Sequence, residues 1–201
     1  MFTASLITNF LGILVFLFIF WKRLKEDYAS EIIFKAAFFI LLGVTLAFLT
    51  SFKLIPLWFL WSEFLGLLLG LGAAIYALKI KFYESFEALI ISILPWIGFI
   101  FLKDSVFGSS LTSFIAFLVI LLVVFISYWL DTNYKNFTWY KSGKIGFAGI
   151  SSLGIIFLVR SIIAATGMPV LSFVGKFEAI LSGIAAFICF LLLYNLGRIS
   201  E

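Results

Sequence analysis

The sequence predicts an all-α polytopic membrane protein with seven spanning helices, its N-terminus outside and its C-terminus inside. Three observations predict it. First, 64% of the 201 residues are hydrophobic and 12% charged, with a mean hydropathy of +1.24, a balance foreign to soluble domains of this size. Second, the apolar runs are continuous rather than alternating. That excludes a spanning β-barrel and leaves helices to satisfy the backbone in hydrocarbon. Third, Lys and Arg are unevenly shared between successive loops, which sets orientation.

Seven apolar segments follow in order, over about 4–21, 32–52, 55–78, 86–102, 110–130, 145–166 and 177–195, each near the length that crosses a bilayer. Trp21-Lys22-Arg23-Leu24-Lys25-Glu26-Asp27 closes the first, and Phe52-Lys53-Leu54-Ile55-Pro56 parts the second from the third. Lys79-Ile80-Lys81 ends the third, and Lys103-Asp104 follows the fourth, which carries Pro95 and should kink there. A polar loop from Asp131 to Lys144 precedes the sixth. Gly167-Met168-Pro169 and Gly175-Lys176 part the sixth from the seventh. The stretch from Ile145 to Tyr194 is read as two spans rather than one span and a re-entrant piece, because Lys176 and Glu178 would otherwise lie deep in lipid. The whole chain reads as one domain, its first span retained rather than cleaved as a signal.

With the N-terminus outside, the inner loops and tail hold Lys22, Arg23, Lys25, Lys79, Lys81, Lys135, Lys141, Lys144 and Arg198. The outer loops hold only Lys53, Lys103 and Lys176. Trp21, Trp58 and Trp129 fall near span ends, where interfacial anchors sit. The loops are too short to form a nucleic-acid surface, although the net charge is +4. The chain has no histidine and one cysteine, Cys189. Histidine-based catalysis, an intrachain disulfide and a cysteine metal cluster are therefore excluded, and no metal or cofactor is expected. The inner run Tyr134-Lys135-Asn136-Phe137-Thr138-Trp139-Tyr140-Lys141 reads as a segment lying on anionic headgroups.

Glu63 and Arg160 are the charges that stand out, each inside a long apolar run. A charge at the bilayer centre costs about 2.5–3.5 kcal/mol on insertion scales, so such residues usually mark a site, a pathway or a buried pair. Counted along the helices, both lie near the outer ends of their spans, as does Lys103. Glu63 shares a helical stripe with Gly66, Gly70 and Ala74, and Arg160 with Gly146, Gly149, Ala164 and Gly167. Small residues mark protein-facing surfaces, so both charges should point into the bundle. Plainer readings stand beside this one. Glu63 and Arg160 could simply pair with each other, either could snorkel to the interface, and Gly66 with Gly70 could serve helix packing alone. Lys35, near the inner end of its span, should snorkel. A guanidinium and an ammonium at one depth suit a lipid phosphate, with a carboxylate beside them to accept a proton or orient the cations.

The layout resembles the prolipoprotein diacylglyceryl transferases. The resemblance runs over roughly residues 8–165 and rests on Trp61-Ser62-Glu63-Phe64-Leu65-Gly66-Leu67-Leu68-Leu69-Gly70, on Phe86 with Leu94-Pro95-Trp96, and on Ser142-Gly143-Lys144-Ile145-Gly146 leading through Gly154 to Val159-Arg160-Ser161-Ile162-Ile163. It implies a plasma-membrane enzyme that moves a diacylglyceryl group from phosphatidylglycerol to the lipobox cysteine of a prolipoprotein. Arg160 would match the family's essential arginine. Lys103 would stand where the family has an arginine, in Leu102-Lys103-Asp104-Ser105-Val106-Phe107-Gly108, which lacks the family's asparagine. On this reading Glu63, Lys103 and Arg160 are the catalytic candidates, and Arg160, Lys103, Gly66 and Gly70 the lipid-binding ones. Two other functions are open to the sequence: an inactive lipid-binding or scaffolding relative, and a small-solute or proton-coupled transporter with Glu63 as its titrating group.

Overall fold

The computed structural model describes residues 2–137, 140, 145–167 and 175–198. Seven helices carry the chain: α1 (Phe2–Leu24), α2 (Ser30–Leu54), α3 (Phe59–Leu78), α4 (Phe82–Gly108), α5 (Leu111–Asn133), α6 (Phe147–Ala165) and α7 (Phe177–Arg198). Short 3₁₀ turns at Pro56–Trp58 and Tyr134–Asn136 lead into α3 and follow α5. All seven spans have the length and hydropathy to cross a membrane, and no strand occurs among the described residues. The protein is a seven-helix, multi-pass membrane protein. Large apolar side chains such as Leu69, Phe125 and Phe187 cover its outside, an arrangement that lipid, not water, accommodates.

The helices run past the apolar segments at several ends. Lys22 and Arg23 close α1 in its last turn, where cations oppose the helix dipole favourably. Glu31 opens α2 in its first turn and pairs with Lys35 at 2.6 Å. Ser110 caps α5 by accepting from the Ser113 amide. Helix α4 continues through Pro95, whose ring nitrogen offers no bond to the Ile91 carbonyl. The described residues between Ile145 and Tyr194 form two helices, α6 and α7, as expected. The predicted Thr138, Trp139, Lys141, Ser142, Gly143, Lys144, Met168 and Pro169 lie outside the described residues.

Contacts between consecutive helices are antiparallel. One face of the bundle thus gathers the starts of α1, α3, α5 and α7 with the ends of α2, α4 and α6. We call it the N-terminal face. Helix α4 is central, packed on α1, α5 and α6, and α6 packs on α7. Some 67% of the α4 span and 56% of the α6 span is buried, against 17% for α1 and 22% for α2, so α4 and α6 form the axis of the bundle. Helices α2 and α3 form a hairpin that packs chiefly on itself.

One expectation is corrected at the opposite face. Tyr134, Phe137 and Tyr140 do not simply lie on headgroups. Tyr140 is buried, its ring 4.6 Å from Phe147, while Tyr134 stacks on the same Phe147 ring and Phe137 meets it at a tilt. Four aromatic rings satisfy one another more fully than an interface would, and they close the bundle between α5 and α6.

Candidate functional site

At the N-terminal face three helices converge on one carboxylate. Glu178, in the first turn of α7, is 1% exposed. Its Oε1 accepts from Arg160 Nε and, at 2.7 Å, from the Ser182 hydroxyl one turn on. Its Oε2 accepts from the Trp61 indole at 3.1 Å. Arg160 comes from the end of α6 and Trp61 from the start of α3. The Trp61 ring stacks on Phe157 at 5.4 Å, and Phe64 meets Phe157 edge-on. Ser161 donates to the Ala179 carbonyl beside the pair, holding α6 and α7 close. A carboxylate with three donors is locked in orientation, and the guanidinium it holds is fixed with it.

The plainer alternative, Arg160 paired with Glu63, gives way to Arg160 paired with Glu178. Glu63 does lie at the same level, two residues from Trp61. No ion pair or hydrogen bond joins Glu63, Lys103 and Arg160 to one another among the described residues. Glu63 Oε1 is shut from solvent without a hydrogen-bond partner. Lys103 is half-buried in the last turns of α4, where the neighbouring Asp104 accepts from the Ser113 hydroxyl of α5. The three candidates share a face of the bundle, not a hydrogen-bonded constellation.

Gly66 and Gly70 are filled from the side of α2. A Cβ on Gly66 would stand 2.6 Å from the Ala47 Cβ and the Gly43 carbonyl, and one on Gly70 would stand 2.6 Å from the Phe39 carbonyl. Their surface meets helix rather than an open lipid site, so packing accounts for both. Helical register puts Glu63 on this same α2-facing stripe. Arg160's predicted companion Gly149 is likewise occupied, by the backbone of Glu87 at 2.8 Å from a would-be Cβ.

A second charged centre, which the sequence reading missed, lies at the opposite face. Arg23 of α1 reaches Asp131 of α5 at 2.9 Å and Glu87 of α4 at 3.9 Å. Glu87 is buried and accepts from the Gly146 amide at 2.6 Å. Gly146 has φ +122°, a conformation open to glycine, and this turn aims its N–H at Glu87. A cleft of about 330 Å³ opens here, lined by Arg23, Glu26, Asp27, Glu84, Glu87, Asp131 and Lys135 among others. On its margin Tyr28 donates to Glu84 at 2.8 Å and accepts from the Lys81 amide at 3.0 Å. Burial, opposed by the Lys81 amide and reinforced by Glu84, pushes the Tyr28 hydroxyl above its ordinary range. No cluster of metal-binding side chains occurs among the described residues.

Glu178 was read only as a charge to be kept out of lipid, not as a site residue, because it follows a Gly-Lys turn and looks like an ordinary acidic helix start. The available signal was the stripe Glu178, Ser182, Ala186, Cys189, Leu193, Leu196, all buried. Its spacing of three and four puts the carboxylate on the core face of α7. No protein-family model, no curated protein and no solved structure matches the chain.

Proposed function

We propose that this membrane protein binds the phosphate of phosphatidylglycerol at its N-terminal face, and that this face is the outer one, a reading the bias of Lys and Arg between the loops supports. We further propose that it serves transfer of the diacylglyceryl group to a lipobox cysteine. The observation that carries the reading is the Arg160 guanidinium, held near the end of a spanning helix by Glu178, whose carboxylate the Trp61 indole and the Ser182 hydroxyl orient in turn. Fixed guanidinium groups are suited to phosphate oxygens, and preorganisation favours charge that develops on a leaving group. In the transfer the cysteine sulfur bonds to the glyceryl carbon that bears the phosphate. The carbon–oxygen bond breaks, glycerol phosphate departs with the electron pair, and the thiol proton is released. Arg160 would steady the departing phosphate, with Lys103 adding a point charge from α4.

The test is lipidation of a lipobox peptide by purified protein in phosphatidylglycerol vesicles. Thioether-linked diacylglyceryl peptide is expected, lost in Arg160→Ala. Absence of product under conditions where an established transferase works overturns the catalytic reading. Two observations favour a second reading, an inactive lipid-binding relative: the Gly66/Gly70 stripe is closed by α2, and the Arg160 charge is met inside the protein. That reading expects phosphatidylglycerol to copurify with the wild type and to be lost from Arg160→Ala, without transfer.

A further inference from the structure

We propose that Glu63 is a proton-binding site inside the membrane, a neutral acid that supplies a proton rather than a base that removes one. The inference comes from two carboxylates at the same level of the bundle that are treated in opposite ways. Glu178 has an arginine, a hydroxyl and an indole on its two oxygens. Glu63 has none of these, and its Oε1 is sealed from solvent with no partner. An ionised carboxylate with one oxygen cut off from water and from donors is held in an unfavourable state. A protonated carboxyl keeps the oxygen pair in hydrocarbon with no net charge.

The neighbouring charges give no relief. On α2, which packs along the Glu63 stripe, the ionisable residue of the nearby half is Lys53, exposed and in no ion pair with Glu63. On α6 and α7, Arg160 and Glu178 bind each other. On α4, Lys103 makes no ion pair with Glu63, and Asp104 is hydrogen-bonded to Ser113. The turn before α3 contributes only Pro56, Leu57 and Trp58. Lys176, just before α7, is exposed and likewise in no ion pair with Glu63, so a proton can supply the missing counter-charge without moving a helix. In a chain without histidine, that makes Glu63 a proton store beside the Arg160 centre.

Hydrophobic carbodiimide tests this directly, and independently of any lipid transfer. N,N′-dicyclohexylcarbodiimide reacts with the protonated form. The carboxyl oxygen bonds to the carbodiimide carbon, the acid proton moves to nitrogen, and an acyl shift leaves a stable N-acylurea that retains every atom of the reagent. Intact protein in vesicles at pH 7 is treated and digested, and each carboxylate peptide is read by mass spectrometry. Glu63 should be labelled at least about tenfold more than Glu178, whose two oxygens are taken by Arg160, Ser182 and Trp61. Glu63→Gln should remove that label. Should the substitution unfold the protein, the wild-type comparison of Glu63 with Glu178 and Glu87 still decides. Labelling of Glu63 no greater than of Glu178, or none at all, overturns the proposal.

Discussion

The two charged centres of this bundle use the same ingredients to different ends. At the N-terminal face one arginine meets one carboxylate, both well buried, with an indole and a hydroxyl completing the carboxylate. At the opposite face one arginine is shared between two carboxylates, Asp131 and Glu87, on the wall of a cleft of about 330 Å³. Arg23 and Asp131 are each 27% exposed there, against 12% and 1% for Arg160 and Glu178. The first centre is well buried, so losing either member of the pair is costly. The second lies on an open cleft and sets two carboxylates against one arginine, so Asp131 is the less critical of the two acids. Burial, more than the number of charges, decides how tightly an ion pair is bound into a fold.

The largest effect should come from breaking the sealed pair. Arg160→Ala or Glu178→Ala leaves an uncompensated buried charge and should cost about 3–5 kcal/mol, read as loss of thermal stability in detergent. Filling the helix seam should come next. Gly70→Leu drives a side chain into the Phe39 carbonyl and the Ile40 Cα, neither of which can rotate away. A loss of about 1–3 kcal/mol is expected, with α2 and α3 made newly accessible to cysteine reagents. At the opposite face, Asp131→Asn should cost only about 0.2–1 kcal/mol, because Glu87 still faces Arg23. An Asp131 loss as large as that of Glu178 would erase the contrast between the two centres.

The smallest effect concerns alkaline pH. Tyr28 holds its proton more tightly when folded than when unfolded. The stability this contributes is full below the unfolded value of about 10 and is lost as pH rises through the folded one. Tyr28→Phe should lose about 0.5–1.5 kcal/mol at neutral pH from the missing hydrogen bonds. It should also lack the part of the alkaline decline that wild type shows, as equilibrium unfolding between pH 8 and about pH 11 would reveal.

How much of this was legible in the sequence depends on where each signal is written. Seven spans were, because the length of an apolar run is a local property and lipid demands it. Arg160 was, because a charge inside such a run has no local excuse. Its partner was not. Glu178 sits at a helix start where acids are common, and only tertiary docking of α7 on α6 gives it meaning. Glu63 was visible as an anomaly, but its lack of a donor depends on which helix covers Gly66 and Gly70. The inward turn of Tyr140 was hidden for the same kind of reason: loop aromatics read as interfacial until Phe147 gives them a ring to pack on. Glu87 looked like a residue near a span boundary, and its bond to the Gly146 amide joins positions far apart in the chain.

The most direct test of the sealed centre is a double-mutant cycle between positions 160 and 178. Arg160→Met and Glu178→Leu, with their combination, are compared by equilibrium unfolding in the same detergent. Each single change should be severe and the pair together milder than either, because removing both charges leaves apolar volume where one leaves a stranded ion. A double variant that loses the sum of the two single losses would contradict the pairing on which the reading of the N-terminal face depends.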